Sequence, residues 1–479
     1  MELPLLEVVR PPKFNPIYRP LDPITKEIRL IKVLPANDER DPIYIATTHV
    51  CLTKNPYFIA LSYTWGAESP TYGIEVYDPD DALGRLSVRQ NLHEFLTAMR
   101  SPAYHGTWFW IDQICINQDD EVERSQQVSQ MAELYTRATF TIIWLGPSFH
   151  GSDEFMEFIA QANIDFEGLV KEMGSSPKKL SDPAKHIWEI YNAACHRFIT
   201  MSYWSRIWII QEIALSARPI VHLGSKFVQW PLVKKCLHFF RSASHASSTK
   251  HPILRYDISS MRFVQCDIIL SLDRPGNNVI LMANEHTWQS IINVVTFNQC
   301  TDLRDKAYGT LGLLSERFRI YPDYSKTSTP STIILEIVRK EVENILYDLK
   351  MLIAAESDPV EASNLVRNHL AYALLVAHTM IRWNKLFHEE DAASYDGAAM
   401  RSCLRREVLD KFREQRAALG GRGGHHKFLD KIISRVLFPN KWNYLVDYFY
   451  RFFWICNDNC VDLDYIKDMH KERKDLRQV

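Results

Sequence analysis

The stretch that decides the fold is TWFWIDQICINQDDEVERSQQVSQMAELYTRATFTIIWLGP, Thr107 to Pro147. Its start, Thr107 to Asn117, is apolar on both sides, as a strand covered on two faces should be. Asp120 and Glu123 then fit a capping-box start for a helix over about Glu121 to Ala138. The inward stripe of that helix is Val128, Met131, Tyr135 and Ala138. TFTIIWLGP returns as a second buried strand, so the order is strand, helix, strand.

Working outward, EIRLIKVLP, PIYIATTHVCL, FIALSYTWG and GIEVYD read as strands closed by turn residues. Val88 to Arg100 takes helical spacing through Leu92, Phe95, Leu96 and Met99. RPIVHLG is a short strand ended by Gly224. The alternation predicts an α/β fold whose mainly parallel sheet is flanked by helices. Phe149 to about Ile199 reads as a mixed, helical insertion. From Trp230 to Gln299 apolar residues recur at helical spacing around a polar break, SASHASSTKHP, and residues 330 to 418 are strongly helical. GGRGGHH, Gly420 to His426, is a flexible joint before a last aromatic helical part. The expected division is 25–225 for the α/β core, 226–330 for a helical extension and 331–479 for a mostly α-helical C-terminal region.

A net charge of -2 over 479 residues gives no field for nucleic acid. The basic runs Arg401 to Arg416 and Lys467 to Arg477 read as solvated helix faces. Nine cysteines, an odd number without a C-x-x-C pair, argue against a disulfide framework and a zinc site, and for a reducing, cytoplasmic setting. Cys456 and Cys460 stand beside Asp458 and Asp462, but no His lies at zinc spacing, so no metal is expected. MELPLLEVVRPPKF has no secretory pattern. WNYLVDYFYRFFWICN, Trp442 to Asn457, is shorter than the roughly 20 residues of a spanning helix. It also carries Asp447 and Arg451 one helical turn apart, so it reads as a packing helix, with an interfacial helix as the alternative, and no transmembrane segment is expected.

YWSRIWIIQEIALS, Tyr203 to Ser216, places one carboxylate, Glu212, among tryptophan, isoleucine and leucine. A buried ionised carboxylate costs several kcal/mol unless it is paired or neutralised. Glu212 therefore has a hidden partner or is kept for chemistry.

ALSYTWG (Ala60 to Gly66), WIDQICINQDDEVERSQQVSQMAELYTRATFTIIWLG (Trp110 to Gly146) and YWSRIWIIQEIAL (Tyr203 to Leu215) resemble the signature blocks of the fungal heterokaryon-incompatibility (HET) domain. DLRDKAYGTLGLL (Asp302 to Leu314) and PDYS (Pro322 to Ser325) resemble the segment that usually follows it. The resemblance implies self/non-self recognition and regulated cell death after fusion of unlike cells. It also implies self-association or an incompatibility partner protein. At its C-terminal end the chain departs from the pattern, with aromatic and basic stretches in place of a small β-rich module.

HET domains are in turn distantly similar to TIR domains, some of which cleave NAD. Those carry a glutamate four residues after a tryptophan in a serine-x-tryptophan context. Here Trp208 and Glu212 keep that spacing, while Ser205 lies one residue further off. The resemblance implies NAD as substrate, no separate cofactor, and Glu212 as the catalytic carboxylate. Nicotinamide leaves a pyridinium as a neutral molecule, so no general acid is required, in contrast with ordinary glycosides. Glu212 would stabilise the developing sugar cation. Tyr63, Thr64 and Trp65 follow one expected strand, Asp112 and Gln113 another, and Trp144 a third, where parallel sheets bind ligands. A ring could stack on Tyr63 or Trp65, Asp112 could hold ribose hydroxyls, and Trp208 lines the same face as Glu212.

Plainer roles stay open: core packing for the tryptophans, a turn hydrogen bond for Asp112, and an ion pair of Glu212 with Arg137 or Arg206. Asn117 and Gln118 shape the loop before the helix. Arg124 sits where a positive charge opposes the helix dipole, which an acidic neighbour such as Glu121, or an external phosphate, could offset. Asp302, Arg304 and Asp305 read as a capping and surface network without catalysis. Two functions follow: an NAD-cleaving effector, or a non-enzymatic module acting by assembly.

Overall fold

The computed structural model describes residues 18–161, 193–237 and 298–347, apart from 37, 39, 67–68, 78–82 and a set of positions within 331–346. By packing the chain divides into two units, 1–329 and 330–479. Expectations for most of 162–297, for the C-terminal helices, for the glycine-rich joint and for Trp442 to Asn457 lie outside the described residues.

Along the chain come β1 Glu27–Val33, β2 Tyr44–Cys51, β3 Ile59–Tyr63, β4 Tyr72–Tyr77, β5 Leu83–Val88, α1 Gln90–Ala98, β6 Phe109–Trp110, α2 Asp112–Cys115, α3 Glu121–Arg137 and β7 Phe140–Trp144. There follow α4 Ser152–Ala160, α5 Ile209–Ala214, β8 Pro219–Leu223, β9 Lys226–Gln229 and α6 Asp305–Tyr308. The strands form one nine-stranded sheet in the order β5-β4-β2-β1-β6-β3-β7-β8-β9.

The sheet is mixed rather than mainly parallel. β1 runs antiparallel to both β2 and β6, and the β4-β5 and β8-β9 pairs are antiparallel. The parallel part is β6-β3-β7-β8, with a separate parallel pairing of β2 and β4. The β8-β9 pair is antiparallel because a two-residue turn, Gly224 and Ser225, joins the strands, whereas β1 meets β6 and β2 meets β4 across long stretches of chain, so no local link sets their direction.

In chain order the parallel block is β3, β6, β7, β8, so its spatial order is 2-1-3-4, a doubly wound arrangement whose winding reverses between β3 and β7. Successive residues of β6 face opposite sides. Phe109 meets Phe95 of α1 at 5.8 Å and Trp110 meets Tyr135 of α3 at 5.9 Å, so the two helices cover opposite faces. Every residue of β3 is buried, as sheet coverage on both sides requires.

Two element boundaries and one side-chain role differ from the sequence reading. β6 is only Phe109–Trp110, because the Asp112 carboxylate accepts the Gln113 N–H at 2.7 Å and turns the chain into α2. β5 extends through Val88, so α1 begins at Gln90. At α3 the cap is Asp120, whose side chain accepts from Val122 and Glu123 N–H. Glu123 does not return to the cap. It accepts from Asn117 N at 2.7 Å and from buried Arg29 at 3.1 Å, tying α3 to β1.

Candidate functional site

YWSRIWIIQEIALS is three pieces rather than one helix. Ser202–Ser205 makes a 3-10 turn, Arg206 is extended, and α5 begins after Trp208. The break follows from a backbone bridge of Arg206 with Gln299, in which Ile207 N–H donates to Gln299 O at 2.9 Å. Trp204 therefore does not share a helix with Glu212, whereas Trp208 remains one turn before it, with Glu212 N–H donating to Trp208 O at 3.2 Å.

Glu212 is 1% exposed, and its carboxyl reaches the carboxyl end of β3. There the Ser62 hydroxyl donates to Glu212 Oε2 and lies 2.7 Å from the Tyr203 hydroxyl. Arg206 Nη1 stands 4.0 Å from Glu212 Oε2 and donates to the Tyr63 carbonyl. Of the two arginines weighed from sequence, Arg206 is the partner. Arg137 instead binds Glu133 at 2.8 Å and also donates to Asn55.

Burial pushes the Glu212 carboxyl up to about 7, against Arg206 and Ser62, which pull it down. Burial weakens the Arg206 cation, but Glu212 and then Asp112 hold it above its ordinary value. One guanidinium thus serves two carboxyls.

Asp112 stands at the end of β6, half-buried. Its Oδ2 accepts the Trp65 indole N–H at 2.8 Å, and Gln118 Nε2 donates to its carbonyl at 2.9 Å. Burial raises its carboxyl, opposed by Arg206, Trp65 and Gln113. Tyr63 is buried and its hydroxyl donates to Gln113 at 3.0 Å, so its ring is part of the core and offers no open stacking face. Trp65 is partly exposed, with the Arg89 guanidinium 5.4 Å from its ring centre. The structure thus gathers Glu212, Tyr63, Trp65 and Asp112 around Arg206. Trp208 is turned elsewhere, its indole N–H donating to Asp305 at 3.1 Å.

Sequence reasoning missed Ser62, Tyr203 and Asn91 as parts of the site. Asn91, in the first turn of α1, donates to Thr64 O at 2.7 Å and accepts from the Trp144 indole at 3.0 Å, bridging β3 and β7 where the winding reverses. A polar residue in the first helical turn after a strand was the available signal. Ser62 and Tyr203 stood inside the quoted blocks, but nothing local marked them as partners.

Among the described residues no group of three or more His, Cys, Asp or Glu is placed to hold a metal ion, and no helix is long and apolar enough to cross a membrane.

Residues 58–212 match the family model described as Heterokaryon incompatibility protein (HET). Residues 58–212 are a HET domain. The matched region starts just before β3 and ends on Glu212, so Ser62, Tyr63, Asp112, Tyr203, Arg206 and Glu212 all belong to the HET domain. Over 360 residues the chain is 27% identical to Heterokaryon incompatibility protein 6, OR allele, of Neurospora crassa, a match covering 67% of this chain and 52% of that protein. The chain thus spans about half the length of that curated relative. No solved structure matches it.

Proposed function

We propose that this HET-domain protein acts in heterokaryon incompatibility as a self/non-self signalling module, triggering regulated cell death by assembling with itself or with an incompatibility partner. The observation that carries this reading is closure of the domain around Glu212. The residue is 1% exposed, its carboxyl bonded to Ser62 and faced by Arg206, with no open face for a substrate. In this reading Glu212 shapes the core of the module. Nine cysteines, an odd number with no C-x-x-C pair, support a reducing, cytoplasmic setting.

A second reading, NAD cleavage at the nicotinamide glycosidic bond, draws on different observations. Glu212 is held near 7 and so costs free energy as an ion, which is common at sites kept for chemistry. Its neighbours Asp112 and Trp65 are partly exposed at the carboxyl ends of a doubly wound sheet. In an opened state Glu212 would face the sugar and Asp112 its hydroxyls.

One experiment separates them. Wild type and Glu212→Gln are compared for thermal melting, for cell death on expression, and for nicotinamide released from NAD by the purified full chain. The signalling reading expects a folded Glu212→Gln protein that still kills and no nicotinamide from either protein. A folded Glu212→Gln protein that no longer kills sinks it, and nicotinamide released by wild type alone establishes the second reading.

A further inference from the structure

We propose that residues 298–325, which lie beyond the matched HET region, form a clasp that holds α5 and Arg206 in place, with Asp305 as its positioning residue, and that releasing this clasp is what opens the Glu212 cluster.

The clasp touches the site segment along its length. Asn298 Nδ2 donates to the Arg206 carbonyl at 2.9 Å, and Gln299 makes the backbone bridge described above. The Gly312 N–H donates to the Gln211 side chain at 3.3 Å. Gly309 and Gly312 are needed for this approach. A Cβ on Gly309 would stand 3.1 Å from the Ile207 side chain, and one on Gly312 would stand 2.6 Å from Leu215 and 2.8 Å from Ala132. The Ala132 contact is the stringent one, since its Cβ is fixed to the backbone of α3, so a side chain at Gly312 would move the segment away from that helix.

Asp305 closes the clasp. One oxygen accepts the Trp208 indole N–H at 3.1 Å and the other accepts the Tyr324 hydroxyl at 2.6 Å. Tyr324 is itself fixed to α3. Its backbone N–H donates to Ser125 at 2.9 Å, and the Arg124 guanidinium lies 4.1 Å from its ring centre. A single carboxylate therefore joins the residue at the start of α5 to a tyrosine anchored on α3. Burial raises this carboxyl to about 6, against the pull of the Tyr324 hydroxyl, so Asp305 is held in place at a cost to its charge. The Arg124 charge, which opposes its own helix dipole, is met by this ring and by the nearby acids Asp302 and Asp305.

Asp305→Ala leaves the indole and the hydroxyl without their acceptor. Asp305→Asn can satisfy both, its oxygen accepting from Trp208 and its amide donating to the Tyr324 oxygen. The test is hydrogen exchange of the amides in 206–214, measured on the full chain for wild type, both Asp305 variants and a control, Ile74→Val, in distant β4. We expect exchange in that segment to quicken about tenfold or more in Asp305→Ala, from loss of charge-assisted bonds. Asp305→Asn should return it towards wild type, and Ile74→Val should leave it unchanged. If Asp305→Ala does not fold, Trp208→Phe and Tyr324→Phe, each removing one bond, take its place. Unchanged exchange in folded variants, or equal quickening in Ile74→Val, overturns the proposal. The inference rests on the preceding section only in taking the Glu212 cluster as the part that opens, and exchange needs no cell-death assay, so the two can fail separately.

Discussion

The Ser62 hydroxyl donates to the Glu212 carboxylate across 150 residues of sequence, joining the end of β3 to a short helix that only the complete domain can place. The bond satisfies one oxygen of a carboxyl that burial would otherwise leave exposed to a low dielectric.

This burial has a sign. Glu212 has its folded value raised to about 7 from the ordinary 4.5, so between those values the folded protein holds a proton that the unfolded chain has released. Stability from the neutral form is full below about 4.5 and is lost as pH rises towards 7, at about 1.4 kcal/mol per unit. Glu212→Gln keeps the shape and the neutral state. Urea midpoints at pH 5 and pH 8 should show wild type losing stability relative to Glu212→Gln at the higher pH. A wild type that gains on the variant at pH 8 would refute the raised value.

Arg206→Met takes the shared cation from Glu212 and Asp112 and a donor from the Tyr63 carbonyl. Arg206 is 18% exposed, so the loss at pH 8 should be about 2 kcal/mol, below that for a fully buried pair. At pH 5, where Glu212 is neutral, it should shrink. Equal losses at the two pH values would show that the guanidinium acts through packing alone.

Gly312→Ala places a methyl 2.6 Å from Leu215 and 2.8 Å from Ala132, so α5 or α3 must shift. Overpacking of this kind costs about 1–3 kcal/mol. Calorimetry should report a lowered melting temperature, and a melting temperature at or above wild type would mean that the segment lies further from α5.

Asp120→Ala removes the cap of α3 and leaves Glu123 on Arg29 and Asn117. The expected cost is about 1 kcal/mol, read as a shift in urea midpoint. A much larger loss would mean that the Arg29–Glu123 tie depends on the cap.

Physical reasons separate what was legible in the sequence from what was not. β3 and β7 announced themselves because central parallel strands are apolar on both sides. β5 did not, since Arg85 and Ser87 face solvent along an edge strand, and β9 is too short to show a period. The mixed sheet was hidden because neither strand neighbours nor direction follow from periodicity. Glu212 stood out at once as a carboxyl among apolar residues. Ser62 did not, since its role depends on a residue far along the chain. The break at Arg206 comes from pairing with Gln299, so α5 could not be delimited from local spacing. Trp208 kept its turn of separation from Glu212 but found its acceptor in Asp305, which reads from sequence as a surface group.

The bridge between Arg206 and Gln299 turns the chain between them into a detour that leaves the cluster and comes back to it. The residues that meet at Glu212 thus come from stretches far apart in the chain: Ser62 and Tyr63, Tyr203 to Glu212, and Asn298 with Gln299. A chain cut before Asn298 would lose two partners of the Arg206 segment while keeping every residue of the matched region.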